Sequence, residues 1–138
     1  MARIVKGYFE DNPILVAMGK IQDLVEECSR LIEGRSWNED LRLRLINLIE
    51  LRRSNIVSYL QLAKGLKSSA QRLGAKLQLV EKKLRKSPFG GGYGNGKSFL
   101  RKLKSVLVVS LEAMIQGMER DNRYDEYEAG INQIKKVA

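Results

Sequence analysis

The first strong pattern in the chain is an apolar stripe over residues 14–32. Apolar side chains recur there every three or four positions, which is the period of one face of an α-helix. Asn12 suits the N-cap, and Pro13 suits the first helical position, where its missing amide costs nothing. Gly34 suits the C-terminal cap. The sequence therefore predicts an amphipathic helix over residues 13–33.

A longer stripe follows and favours one helix over residues 37–86. A capping-box pattern at residues 36–39 precedes it, and over residues 56–84 the apolar steps alternate between three and four as in a coiled coil. Gly65 and Gly74 interrupt this stripe, and each costs up to about 1 kcal/mol relative to alanine in a helix. We expect a kink near Gly65 and interpret the small residues as room for a neighbouring helix.

Arg52 lies where the same stripe predicts an apolar residue. The apolar seam either shifts between Leu48 and Ile56, or Arg52 pairs with an acid such as Glu112. The sequence leaves both explanations open.

Residues 87–96 contain a proline and five glycines, so they cannot continue a helix and predict a flexible loop. Helical spacing resumes at residue 97 and continues to residue 118 over a wide apolar face. The run at residues 106–109 would also suit a strand, but the helical spacing on both sides favours the most buried helix of the domain. A last stripe, residues 124–134, predicts a short helix or a continuation of the preceding one.

Together these elements predict an all-α fold, an antiparallel helical bundle with long helices and a glycine-rich loop at one tip. A chain of 138 residues suffices for one hydrophobic core, so residues 1–138 form one domain, with residues 1–12 as an N-terminal extension. The composition, 43% hydrophobic and 30% charged, is typical of a globular domain.

Charge is concentrated on both sides of the loop. Residues 67–104 hold eleven Lys or Arg and one acid, a local charge of +10 in a chain of net charge +9. Cations before the loop complement the negative end of a helix dipole, whereas those after it begin a helix and oppose its dipole. We interpret the tip as an anion-binding site, the alternative being a solvated tip that maintains solubility. The candidate binding residues are Lys82, Lys83, Arg85, Lys86, Lys97, Arg101, Lys102, Lys104 and Tyr93.

Nucleic acid is the expected ligand, because a clustered basic patch and a pI near 9.8 are its usual electrostatic counterpart. Tyr93 and Phe89 in the loop would stack on unpaired bases, but the sequence does not distinguish DNA from RNA. No recognition-helix motif occurs, so phosphate contacts should dominate. An anionic membrane surface is the alternative for residues 97–118, which are basic and amphipathic.

Residues 91–98 match the pattern G-x-x-x-x-G-K-[ST] and so resemble a Walker A motif. The resemblance implies that Lys97 would contact nucleotide phosphates and Ser98 would contact Mg²⁺. A P-loop requires a strand directly before it, however, and residues 77–86 are in helical register. No Walker B strand follows either, so the sequence favours a protein without enzymatic activity.

The chain has no histidine, and Cys28 is its only cysteine. These facts exclude His-dependent triads and Cys-rich zinc sites, and no metal or cofactor is expected. Cys28 fits a buried hydrophobic position in a reducing compartment. Without a secretory signal or a membrane-length apolar run, we expect a soluble cytoplasmic protein. The competing function is that of a structural or adaptor protein, a homo-oligomer or one that pairs with a helical partner through residues 56–84 and 124–134.

Overall fold

A computed structural model describes residues 12–63, 65–86, 95–117 and 124–137. The helices are α1 Pro13–Ile32, α2 Glu39–Leu62, α3 Lys67–Arg85, α4 Gly96–Gly117 and α5 Tyr124–Lys136. These described ranges contain no strand, which confirms the all-α class, and residues 106–109 are helical. Residues 1–11 of the predicted N-terminal extension and residues 87–94 of the predicted glycine loop lie outside the described residues, whereas Asn12 is described.

Asn12 caps α1 as the sequence predicts. The amides of Ile14 and Leu15 donate to its Oδ1 over 3.1 and 3.3 Å, and Pro13 occupies the first helical position. Asn12 Nδ2 also donates to the hydroxyl of Tyr127 over 2.9 Å. The buried cap therefore joins the start of α1 to α5.

The prediction of one helix over residues 37–86 is wrong. The chain reverses between α2 and α3 at Gly65, whose φ of +82° lies in the left-handed region that glycine adopts without strain. The two helices pack side by side as a hairpin. Val57 Cγ2 lies 3.2 Å from the position that a β-carbon on Gly74 would occupy, so Gly74 does admit a close neighbour. That neighbour is α2 itself.

The hydrophobic core lies between α1 and the α2–α3 hairpin, with α4 and α5 completing the bundle. The apolar positions of α1 and of residues 56–84 are mostly fully buried, as are Tyr127, Ile131 and Ile134 of α5. The two stripes considered as surfaces for a partner are therefore occupied within this chain.

Arg52 pairs with an acid, but not with Glu112. Its Nε and Nη2 donate to the two carboxylate oxygens of Glu27 on α1, over 3.1 and 2.9 Å. Glu112 instead lies 3.1 Å from Lys135 Nζ on α5. The buried face of α2 continues through this region, since Ile49 and Ile56 are seven residues apart and both fully buried. The structure therefore supports the pairing explanation, with Glu27 as the acid.

Candidate polyanion-binding surface

Four chain segments meet at one end of the bundle. Arg42 Nε, near the start of α2, donates to the carbonyl oxygen of Leu84 near the end of α3, over 3.3 Å. The Trp37 ring, just before α2, lies 6.0 Å from that of Phe99 in the first turn of α4, measured between centroids. The C-terminus of α3 and the N-terminus of α4 are therefore at the same end.

This geometry brings the two predicted cation groups together. We call them the basic cluster, which comprises Lys82, Lys83, Arg85, Lys86, Lys97, Arg101, Lys102 and Lys104. All are exposed except Lys104, which is half-buried. The ninth candidate, Tyr93, lies outside the described residues, as does Phe89.

Two members of the basic cluster have partners that hold them only loosely. Arg85 Nη2 lies 3.7 Å from Glu50 Oε2, and both side chains are more than half exposed. Lys104 Nζ donates to the carbonyl oxygen of Lys135 over 3.2 Å, which places a cation at the C-terminus of α5 where the helix dipole favours it. Neither contact neutralises the surface, because water screens the first and the second leaves the positive charge in place.

Within the described part of the chain, five cluster members make neither an ion pair nor a side-chain hydrogen bond. They are Lys82, Lys86, Lys97, Arg101 and Lys102. Their charged groups face solvent and so are available to an external anion.

The single acid in residues 67–104 does not offset these charges at the surface. Glu81 is buried and pairs with Arg53 of α2 inside the hairpin. Burial raises the pKa of Glu81, and the charge of Arg53 opposes that shift. The carboxylate therefore lies within the α2–α3 hairpin, where Arg53 is its ion-pair partner and Arg85 is the cluster member whose charge also acts on it.

Acids from elsewhere reach the same end, which the sequence did not predict. The connection between α1 and α2 places Glu33, Glu39 and Asp40 there, and all three are exposed. Asp40 is engaged by Arg44 at 2.9 Å. The positive surface therefore does not cover the whole tip and extends instead along α3 and α4.

A groove between α3 and α4 continues this positive surface along the bundle. We call it the α3–α4 groove; it has a volume of about 480 Å³ and is lined by Lys76, Leu79, Val80, Lys83, Lys102, Ser105, Val106 and Val109. Lys83 and Lys102, from opposite sides of the predicted loop, line the same cavity. Leu79 is 63% exposed and Val109 57% exposed, so α4 is not buried all round as its apolar run suggested.

Arg42 also lies at this end of the bundle, and it was not predicted from the sequence. It is only 4% exposed, and its bond to Leu84 places a positive charge beneath the C-terminus of α3, where unpaired carbonyls and the helix dipole favour a cation. Arg42 lies four and seven residues before the buried Ile46 and Ile49, so it falls on the same face of α2. This spacing is the signal from which its burial could have been predicted.

The described part of the Walker A-like segment has a structural explanation. Asn95 Oδ1 accepts the amide of Ser98 over 2.8 Å, so Asn95 caps α4. Gly96 packs on Ile32, whose Cγ2 occupies the space that a β-carbon would take. A helix, α3, stands before this segment, as the helical register predicted, and residues 91–94 lie outside the description.

Other chemistry is sparse among the described residues. Cys28 is fully buried, as predicted, and burial raises the pKa of its thiol to about 12. In the described ranges, no group of three or more His, Cys, Asp or Glu is placed to hold a metal ion. None of the helices in those ranges combines the length and apolarity needed to cross a membrane.

Comparison with known proteins gives no assignment: no family model, no curated protein and no solved structure matches this chain.

Proposed function

We propose that this chain binds nucleic acid through the basic cluster, mainly by contacts to phosphates. The observation that carries the proposal is the group of five exposed cations on adjoining helix ends without a carboxylate partner in the described chain. When such cations neutralise phosphates, the counterions condensed on the nucleic acid are released. This release is the main source of affinity in non-specific binding.

Lys97 and Arg101 lie in the first two turns of α4, where the helix dipole disfavours positive charge. Lys82 and Lys86, at the end of α3, add like charges at the same end. The repulsion among these cations, and that between the α4 cations and the helix dipole, is relieved when a polyanion approaches. This supports a binding role over one in solubility alone.

The spacing of the charges suits a chain of phosphates better than a single phosphate. From Lys97 to Lys104 the helix rises about 10 Å, which is more than one phosphate group can span. Asn95 satisfies two amides in the first turn of α4, that of Ser98 through its side chain and that of Phe99 through its carbonyl oxygen, so side chains are expected to make most of the contacts. Contacts of this kind do not distinguish DNA from RNA.

Fluorescence anisotropy with labelled duplex DNA and single-stranded RNA at low salt tests the proposal. We expect the double variant Lys82→Gln with Lys97→Gln to weaken binding on the order of tenfold, because two phosphate contacts are lost. The matched control is Lys67→Gln with Arg72→Gln, which removes the same charge from exposed positions in the other half of α3.

The two double variants are compared at about 0.1 M salt, where the Debye length is about 10 Å and Arg72 lies about 15 Å along the helix from Lys82. The control should bind there within about twofold of the wild type. Equal losses in both double variants would show that net charge, not the basic cluster, attracts nucleic acid. Absence of wild-type binding at low salt would refute the proposal.

A further inference from the structure

The α3–α4 groove carries a feature that phosphate binding does not use, namely an apolar floor. Leu79 on α3 and Val109 on α4 are more than half exposed and line one cavity, with Val80 and Val106 beside them. Leu51 on α2 is as exposed as Leu79 but lies outside this groove. Two large apolar side chains in a shared concave surface are typical of a site that another apolar surface covers.

The rim of the groove is positively charged. Lys76 and Lys83 are seven residues apart on α3, about 10 Å along the helix, and Lys102 stands on α4. No acidic residue is among the side chains that line the groove. The aliphatic stems of Lys76 and Lys102 extend the apolar surface while their ammonium groups remain in water.

The shape of the α3–α4 groove suits a bound helix. Each wall contributes about two turns, residues 76–83 from α3 and residues 102–109 from α4. A groove between two packed helices is the surface into which the side-chain ridges of a third helix fit. We propose that the α3–α4 groove binds an acidic amphipathic helix of a partner protein. The apolar face of that helix covers Leu79 and Val109, and its carboxylates pair with the three lysines.

A second copy of this chain does not meet that description. It would bring the same lysines and a net charge of +9 to the contact. In its acidic helix α5, the apolar residues Tyr127, Ile131 and Ile134 are buried in its own bundle, so these three are not free to cover the groove. The occupant must therefore supply both the acids and the apolar face from another protein.

Nucleic acid fits the groove less well than a helix, although it shares Lys83 and Lys102 with the basic cluster. None of the lining residues is aromatic, and stacking on aromatic rings is the main way that proteins hold unpaired bases. The inference goes beyond the proposed function and does not depend on it.

The test uses the full chain, labelled with ¹⁵N, and a synthetic capped peptide as the probe. The peptide carries leucines at alternating spacings of three and four along one helical face, with glutamates flanking them. A second peptide of identical composition has its leucines distributed around the helix. We expect the first peptide to give saturable amide shifts centred on Leu79 and Val109, with affinity in the micromolar range, and the second to bind on the order of tenfold more weakly.

Variants then separate the apolar contribution from the charge. Leu79→Gln with Val109→Gln should weaken the first peptide by on the order of tenfold or more. Leu51→Gln is the matched control, because Leu51 and Leu79 are both 63% exposed, and it should leave the affinity unchanged. Lys83→Gln with Lys102→Gln should also weaken binding. All these positions are exposed, and circular dichroism verifies that each variant keeps its helices.

Three outcomes would overturn the inference: the wild type fails to bind the amphipathic peptide, both peptides bind equally, or the Leu79 and Val109 variant binds as the wild type does. If an oligonucleotide rather than the peptide shifts Leu79 and Val109, the groove belongs to nucleic acid. A chain that binds nucleic acid but not the peptide would retain the proposed function and lose this inference alone.

Discussion

Arg53 and Glu81 form an ion pair inside the α2–α3 hairpin, and burial governs how that pair responds to pH. Glu81 is the more buried partner, and desolvation raises its pKa while Arg53 opposes the shift. A carboxyl with a raised pKa binds a proton in the folded state before it does so in the unfolded chain. The stability that the protonated Glu81 carboxyl contributes is therefore fully present below its unfolded pKa of about 4.3. This stability is lost as pH rises through the pKa of Glu81 in the folded state.

Removing Arg53 should expose this dependence. In Arg53→Met the Glu81 carboxylate stays buried without its cation, and we expect a cost of about 3 kcal/mol in the free energy of unfolding at neutral pH. The pKa of Glu81 rises further, so the cost should shrink as pH falls towards about 5. Urea unfolding at neutral pH and at about pH 5 measures the free energy of unfolding at each. The control is the double variant Arg53→Met with Glu81→Gln, which also removes the buried negative charge. An equal cost at both pH values would contradict this account.

The thiol of Cys28 should be unreactive in the folded protein. It is fully buried in α1 and its pKa is raised to about 12, so almost no thiolate is present at neutral or mildly alkaline pH. We expect iodoacetamide to modify Cys28 only on unfolding, with the rate in denaturant at least about a hundredfold above the native rate. Mass spectrometry after timed exposure gives both rates. Rapid labelling of native protein would show that α1 opens readily or that Cys28 is not buried.

At the scale of the helices, the turn between α2 and α3 depends on Gly65. Its φ of +82° is strained for any residue with a β-carbon, so Gly65→Ala should cost about 1–2 kcal/mol. Gly19 is the matched control, because it lies within α1 and the space that a β-carbon would take there has no other atom within 4 Å. Gly19→Ala should instead stabilise the protein by about 0.5–1 kcal/mol through higher helix propensity.

Thermal and urea unfolding of the two variants give the comparison. Equal effects of the same sign would mean that the left-handed turn at Gly65 does not control the stability of the hairpin.

The same turn shows what periodicity cannot detect. Steps from Ala63 to Leu66 to Ala70 keep the three-four alternation, although the chain reverses between them. A hairpin presents both of its helices to one core, so the apolar spacing continues unbroken through the reversal. Gly65 was the only local signal, and it suggested a kink rather than a full turn. The cap at Asn12 is formed with its neighbours in sequence, which is why it was predictable. The cap at Asn95 is equally local, although it was not predicted from the sequence.

At the scale of the whole molecule, the charge of the site was visible in the sequence and its surroundings were not. The count of charged residues along the sequence located the basic cluster. The loop between its two halves predicted that they would lie at the same end of the bundle. The exposure of Leu79 and Val109 depends on how the hairpin packs against α4. The acids Glu33, Glu39 and Asp40 reach the same end only because α2 folds back, so one-dimensional spacing could not place them.

The salt dependence of binding tests the central claim most directly, namely that the basic cluster holds a polyanion by its phosphates. For the wild type we expect the logarithm of the association constant for duplex DNA to fall linearly with the logarithm of salt concentration, with a slope steeper than about −3. Lys82→Gln with Lys97→Gln should reduce the magnitude of the slope by about 2, and Lys67→Gln with Arg72→Gln should not change it. A shallow wild-type slope, or the same slope in the wild type and the cluster variant, would contradict the account.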